Sequence, residues 1–308
     1  REALTKGLVG FLSNTSSDST WADEYLGVNA TINKGQKGKV TSAENGGLTF
    51  EGPGAWAEWP VDKKGQNVPY HFANYKFTLV ATVSIDKEPK ESSNSIPLMG
   101  VRMNDTSSGV LFGLSYTHEK KWQVIFSDDL RKPLADGDGD GWEPNKKYQV
   151  ALRMDSDGGL MVYVDGEEIY DTENYEDEED DNFTQKLETL LSSHSVSHFY
   201  IGGDSTSGSA DTHVTVSNVL LYSRALKNGE LETLMKRNAV AAAEAKLPAP
   251  EVAAETTHVS EPSRQPATVP VVTNEVQQDA TPSPQSQHPP AQTSENTNGS
   301  TDFQSNIV

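Results

Sequence analysis

Few of the residues able to do chemistry in this 308-residue chain fall at spacings that would let them act together. Asp136-Gly-Asp-Gly-Asp-Gly141 puts carboxylates at positions 1, 3 and 5 of a calcium loop, with glycine at position 6. Such a loop closes its coordination shell with a bidentate glutamate at position 12, where this chain has Lys147. The segment therefore reads as a solvated turn. Glu176-Asp-Glu-Glu-Asp-Asp181 concentrates negative charge, and self-repulsion is expected to keep it an extended acidic loop. His194 and His198 have the spacing that would align two imidazoles on a helix, yet they bracket the junction of a helix and a strand. There is no cysteine and no His-Glu-x-x-His pair, so neither a metal nor a cofactor is expected. No Gly-x-Ser-x-Gly turn presents a serine and no nucleophile–base pair stands out, so no catalytic residue is assigned.

The elements that would have to position these groups are mostly strands. Phe77, Leu79, Ala81, Val83 and Ile85 alternate with Lys76, Thr78, Thr82 and Ser84. Val110–Tyr116, Trp122–Phe126, Tyr148–Met154 and Leu160–Val164 repeat that period of two, which predicts half-buried antiparallel strands. Asp155-Ser-Asp-Gly-Gly159 predicts a hairpin and Val164-Asp-Gly-Glu-Glu168 a second reversal, since Gly and Asp tolerate positive φ. Phe183, Leu187, Leu190 and Leu191 form one apolar stripe, predicting a helix over Asn182–Ser193. A second helix is expected from Asn228 as N-cap, with Leu231, Leu234 and Met235 as its buried face. Many short strands with few helices predict an all-β antiparallel sandwich or barrel.

Composition separates the chain into parts. Residues 1–6 read as the remnant of an upstream linker, and Gly7 to Asn238 has the aromatic and β-branched content of one folded domain. Residues 239–308 are rich in Pro, Ser, Thr and Gln and are expected to form a disordered stalk, because they cannot bury enough apolar area to offset ordering entropy. The formal charge of −20 excludes nucleic acid as a partner and disfavours anionic membranes. Asn14, Asn29, Asn104, Asn182 and Asn298 each begin an Asn-x-Ser/Thr acceptor for N-glycosylation, which favours secretion. No small-residue site followed by a hydrophobic tail occurs, so a lipid-anchor signal is not in this sequence.

Val214-Thr-Val-Ser-Asn-Val-Leu-Leu-Tyr-Ser-Arg224 resembles the Val-Thr-Val-x-Asn-Val-x-Leu-Tyr-Asn-Arg signature of the trypanosomal trans-sialidase superfamily, departing only at Ser223. Gly7-Leu-Val-Gly-Phe-Leu-Ser13, Trp21–Ala30 and Ala57-Glu-Trp-Pro-Val61 look like the opening of that family's C-terminal domain. Phe199-Tyr-Ile-Gly-Gly203 and Tyr163-Val-Asp-Gly166 are similar to strands of laminin G-like and concanavalin A-like sandwiches. The sialidase Asp-box is absent; Ser16-Ser-Asp-Ser-Thr-Trp21 comes nearest but lacks the glycine. The resemblance implies a jelly-roll sandwich that follows a sialidase-like propeller, and that propeller, not this module, carries the sialidase chemistry. It implies cell-surface display through a lipid anchor, and engagement of host-cell or extracellular-matrix protein or glycan.

Within the family the signature is associated with host-cell attachment, which makes Val214, Thr215, Val216, Asn218, Val219, Leu221, Tyr222 and Arg224 the candidate contact residues. Simple alternation tempers this. It puts Val214, Val216, Leu220 and Tyr222 on one face and Val219 and Leu221 on the other, as in an inner strand covered on both sides. Only Arg224 and the polar edge would then reach a partner. Three readings follow: a non-catalytic supporting and adhesive module, the end of an active sialidase or trans-sialidase, or a lectin. Trp56, Trp59 and Trp142 could stack on sugars from loops, but are read as caps on the sandwich.

Overall fold

The computed structural model describes residues 2–44, 46–61, 68–90, 95–104, 109–126, 130–133, 141–172, 188–206 and 211–244. All lie within Arg1–Pro250, the first of two units into which the chain divides. Outside the described residues lie most of the Asp136–Gly141 turn, the acidic run at 176–181, Asn182, Phe183, Leu187, Asn298 and everything past Glu244.

The first half of the chain supplies β1 (Leu8–Ser16), β2 (Thr20–Asp23), β3 (Ala30–Asn33), β4 (Lys39–Ser42), β5 (Leu48–Glu51), β6 (Trp56–Pro60), β7 (Phe77–Ile85) and β8 (Ile96–Met103). The second supplies β9 (Val110–Tyr116), β10 (Trp122–Phe126), β11 (Leu130–Pro133), β12 (Lys147–Met154), β13 (Leu160–Val164), β14 (Glu167–Asp171), β15 (Val196–Ile201) and β16 (His213–Tyr222). Pairing is antiparallel throughout the described ladders, in the order β11-β10-β9-β8-β15-β6-β3-β2-β1-β16-β7-β12-β13-β14, with β4 and β5 branching from β16. This path folds back on itself. Phe77 of β7 meets Phe199 of β15 at 5.2 Å between ring centroids, and Trp122 of β10 meets Tyr148 of β12 at 5.3 Å. Those strands are far apart along the ladder, so two layers face each other across the core. The result is an all-β jelly-roll sandwich.

Local signals account for much of it. Phe77, Leu79, Ala81, Val83 and Ile85 are all essentially inaccessible and share the main core, as their alternation requires. In the first reversal the Asp155 and Gly158 amides bond back across the turn, with Gly158 at positive φ. Asp165 and Gly166 both take positive φ between β13 and β14, as a two-residue hairpin demands. The strands are less half-buried than alternation suggests: β9, β13 and β15 are buried at every position. Trp56 and Trp59 stand on β6 itself instead of in loops.

Three α-helices, α1 (Glu2–Thr5), α2 (188–193) and α3 (Asn228–Glu244), and a 3-10 helix at Val68–Asn74 complete the described part. Leu231, Leu234 and Met235 are buried, as the apolar spacing implies. The cap differs from expectation. Lys227 is the capping residue, because its carbonyl accepts from the Glu230 and Leu231 amides while its own amide donates to Glu230 Oε2 at 2.9 Å. Asn228 instead ties α3 to the sheet, with its Oδ1 accepting from Tyr163 Oη at 3.0 Å and Arg153 Nη1 at 3.2 Å. The helix itself continues to Glu244.

Candidate functional site

The signature residues form β16, the strand on which the rest of one layer is assembled. One edge of β16 pairs with β7 along its length. The other edge changes partner, meeting β5 over His213–Val216 and β1 over Val219–Tyr222. At the change the ladder with β7 breaks register between Ser217 and Leu220. Asn218 sits in the break with φ 50°, in the left-handed region that asparagine tolerates better than most residues. A β-bulge of this kind inserts one residue and bends the strand.

The bulge corrects the alternation argument. Val214, Val216, Val219 and Leu221 all point into the main core, at 1 % exposure or less. Leu220 and Tyr222 point the other way, into a second apolar cluster with Leu4, Leu231 and Leu234. Counting by twos fails here because the extra residue at Asn218 flips every later side chain to the opposite face. The expected cover on both sides holds only for Val219–Tyr222, where α3 and the N-terminal turn lie over the outer face; Thr215 and Ser217 stay partly exposed and Asn218 exposed. Replacing Asn218 with valine should cost about 1–3 kcal/mol, since a β-branched side chain is strained at positive φ, whereas glycine should be tolerated. Chemical denaturation of the two variants checks this.

Arg224 is held within the molecule. Its two terminal nitrogens donate to Glu230 Oε2 and Oε1 at 2.7 and 2.8 Å, and Nε donates to the Lys6 carbonyl at 2.7 Å. Tyr222 Oη donates to the Leu4 carbonyl at 2.9 Å. The end of the signature therefore fastens both the chain's N-terminal turn and the start of α3. Thr215 Oγ1 donates to Asp86 Oδ2 at 2.6 Å and lies 2.8 Å from Thr49 Oγ1. Of the eight candidates, Asn218 is exposed, while Thr215 and Arg224 are partly so.

Asn14, Asn29 and Asn104 are exposed, and the first two use Oδ1 as an acceptor, from Gly47 at 3.2 Å and Asp23 at 2.9 Å. The tryptophans are buried, with Trp59 Nε1 donating to the Val28 carbonyl and Trp142 Nε1 to that of Thr117. They offer no platform for a sugar. His198 is buried in β15 against Ser197 Oγ, whereas His194 is exposed at the end of α2. Among the described residues no group of three His, Asp or Glu side chains could hold a metal ion. Sequence reasoning missed one feature. Arg102 of β8 and Asp204, just after β15, form an ion pair at 3 % and 1 % exposure. Nothing local links two residues so far apart in the chain, and no spacing signal could have found the pair.

These features define a lectin-like β-sandwich whose signature strand is built into its core. A family model described as the C-terminal domain of trans-sialidase matches residues 4–229. The chain belongs to the trans-sialidase family, and the matched part is that C-terminal domain. It is 37 % identical over 190 residues to a sialidase of Trypanosoma cruzi, covering 61 % of this chain and 15 % of the relative. Sialidase 85-1.1 of the same organism is 32 % identical over 238 residues, covering 76 % and 29 %. The chain thus spans less than a third of the length of either relative. The solved Trypanosoma rangeli sialidase superposes with a TM-score of 0.61 at 35 % identity, over 76 % of this chain and 33 % of that one. The binding domain of botulinum neurotoxin DC superposes with a TM-score of 0.50 at 12 % identity, over 75 % and 52 %, a likeness of fold alone.

Proposed function

We propose that this chain is the non-catalytic supporting and adhesive module of a trans-sialidase-family surface glycoprotein. The observation that carries the reading is the extent of the family match: it covers the whole described sandwich and is to the C-terminal domain. The module carries a sialidase-like propeller in the same parent chain and adds contact surface for host-cell or matrix protein or glycan. Display is through a lipid anchor; among the described residues no helix is long and apolar enough to cross a membrane. Because most of the signature is core, adhesion involves Thr215, Asn218, Arg224 and the neighbouring loops instead of the apolar residues. The relatives named sialidase support a second reading, in which the propeller is an active sialidase and this module has the same supporting role.

Purified chain should release no product from a fluorogenic sialoside above a heat-killed control, yet bind host cells or matrix saturably. Turnover would overturn the non-catalytic half of the reading, and absence of binding would overturn the adhesive half.

A further inference from the structure

Asn29 closes a short loop between β2 and β3 that presents apolar side chains to water. Asp23, at 5 % exposure, is the centre of that loop. Its Oδ1 accepts from the Phe11 amide at 2.8 Å and the Tyr25 amide at 3.0 Å. Its Oδ2 accepts from the Leu26 and Val28 amides, both at 3.1 Å, and from Tyr70 Oη of the 3-10 helix at 3.2 Å. The Asp23 amide in turn donates to Asn29 Oδ1 at 2.9 Å, which ties the two ends of the loop together.

The loop backbone is therefore fixed, yet Tyr25 is 53 % exposed and Leu26 48 %. With Tyr75 they are the large apolar side chains left exposed among the described residues. Single exposed apolar residues are common, but two adjacent ones on a held loop mark a place that something else covers. Asn29-Ala30-Thr31 is an acceptor for N-glycosylation, and the sugar is attached at Nδ2. A backbone N–H bonds only to an acceptor, so Asn29 turns its oxygen to Asp23 and its nitrogen away from the loop backbone. Asn29 is exposed, and a Cβ built on Gly27 at the loop tip would meet nothing within 4 Å, so the space there is open. We propose that Asn29 carries an N-glycan whose first N-acetylglucosamine packs on Tyr25 and Leu26 and completes the surface of the fold.

A pyranose ring has C–H groups on its faces and hydroxyls round its rim, so one face covers a tyrosine ring while the rim stays hydrated. The other described acceptors lack this arrangement. Asn14 also turns Oδ1 inward, to the Gly47 amide, but its Nδ2 lies 2.9 Å from where Gly46 would carry a Cβ. Among the described residues no exposed large apolar side chain stands within four positions of Asn14 or Asn104. The inference rests on the surface-display reading only for passage through a glycosylating compartment, which the host supplies in the test.

The test compares the chain secreted from a eukaryotic host restricted to oligomannose glycans with the same chain from bacteria, which attach none. Glycopeptide mass spectrometry should find Asn29 occupied. After endoglycosidase trimming to one N-acetylglucosamine, the secreted chain should melt about 2–4 °C above its Thr31→Val variant. That variant removes the acceptor but keeps Asn29, its bond to Asp23 and a β-branched side chain in β3. The shift is taken relative to the same pair from bacteria, so the effect of the substitution itself cancels. Tyr25→Ser with Leu26→Ser should abolish the shift without changing occupancy, and protons of the remaining sugar should show nuclear Overhauser contacts to the Tyr25 ring. Asn29 bare in the secreted protein would overturn the proposal. So would an occupied Asn29 lacking either the melting shift or the contact to Tyr25, which would leave the apolar pair to a protein partner. Loss of the adhesive reading changes none of these measurements, so the two fail separately.

Discussion

Replacing Asp204 with alanine should destabilise the sandwich by about 3–5 kcal/mol, because it strands the Arg102 guanidinium in the core. Asp204 accepts from Arg102 Nε at 2.8 Å and from Nη2, and also from the Ser205 amide and Thr206 Oγ1. At 3 % and 1 % exposure neither partner of the ion pair can turn to water. Removing both charges together, as Arg102→Met with Asp204→Leu, should recover most of the loss, since desolvation of the pair disappears with it. Denaturant midpoints at constant slope measure both effects. A loss below about 1 kcal/mol for Asp204→Ala would mean the pair behaves like a surface one.

The same pair shapes the response to acid. Burial alone would raise the Asp204 carboxyl, but the hydrogen bonds and charge of Arg102 outweigh it and hold the group below its ordinary value. Glu230 is pulled from 4.5 to about 2, first by its hydrogen bonds from Arg224. A carboxyl depressed on folding contributes stability that is fully present above its unfolded value and lost as pH falls through the folded one. Stability should therefore decline on acidification, with the Glu230 contribution disappearing between about pH 4.5 and 2. In Arg224→Ala that portion of the decline should shrink, with the remainder coming from the Lys227 amide and charge.

Leu221→Ala should cost about 2–5 kcal/mol, from lost burial and the cavity left behind, because the side chain is inaccessible in the main core. Leu220→Ala should cost clearly less, as Leu220 is only partly buried, on the outer face beneath α3. The ordering tests the bulge directly: without the extra residue at Asn218 the two leucines would exchange faces and the costs would reverse. Measuring cell attachment alongside melting separates roles. Loss of attachment by Leu221→Ala should accompany unfolding, whereas loss by Asn218→Gly with melting unchanged would report a true contact.

Much of this protein is written locally in its sequence. The strands at 77–85, 110–116, 122–126, 148–154 and 160–164 follow from their period, since alternate side chains must share a face. The two reversals at 155–159 and 164–168 follow from residues that tolerate positive φ. The apolar face of α3 and the family signature are equally local. What the sequence left open depends on residues distant in the chain. Alternation could not reveal that α3 covers the outer face of β13 and the end of β16, which is why β13 is buried on both faces. It could not show that β16 exchanges β5 for β1 at Asn218, and so it put Leu220 and Leu221 on the wrong faces. Nor could it bring Arg102 to Asp204. Those arrangements come from register and layer packing, where non-local partners decide which face each side chain presents.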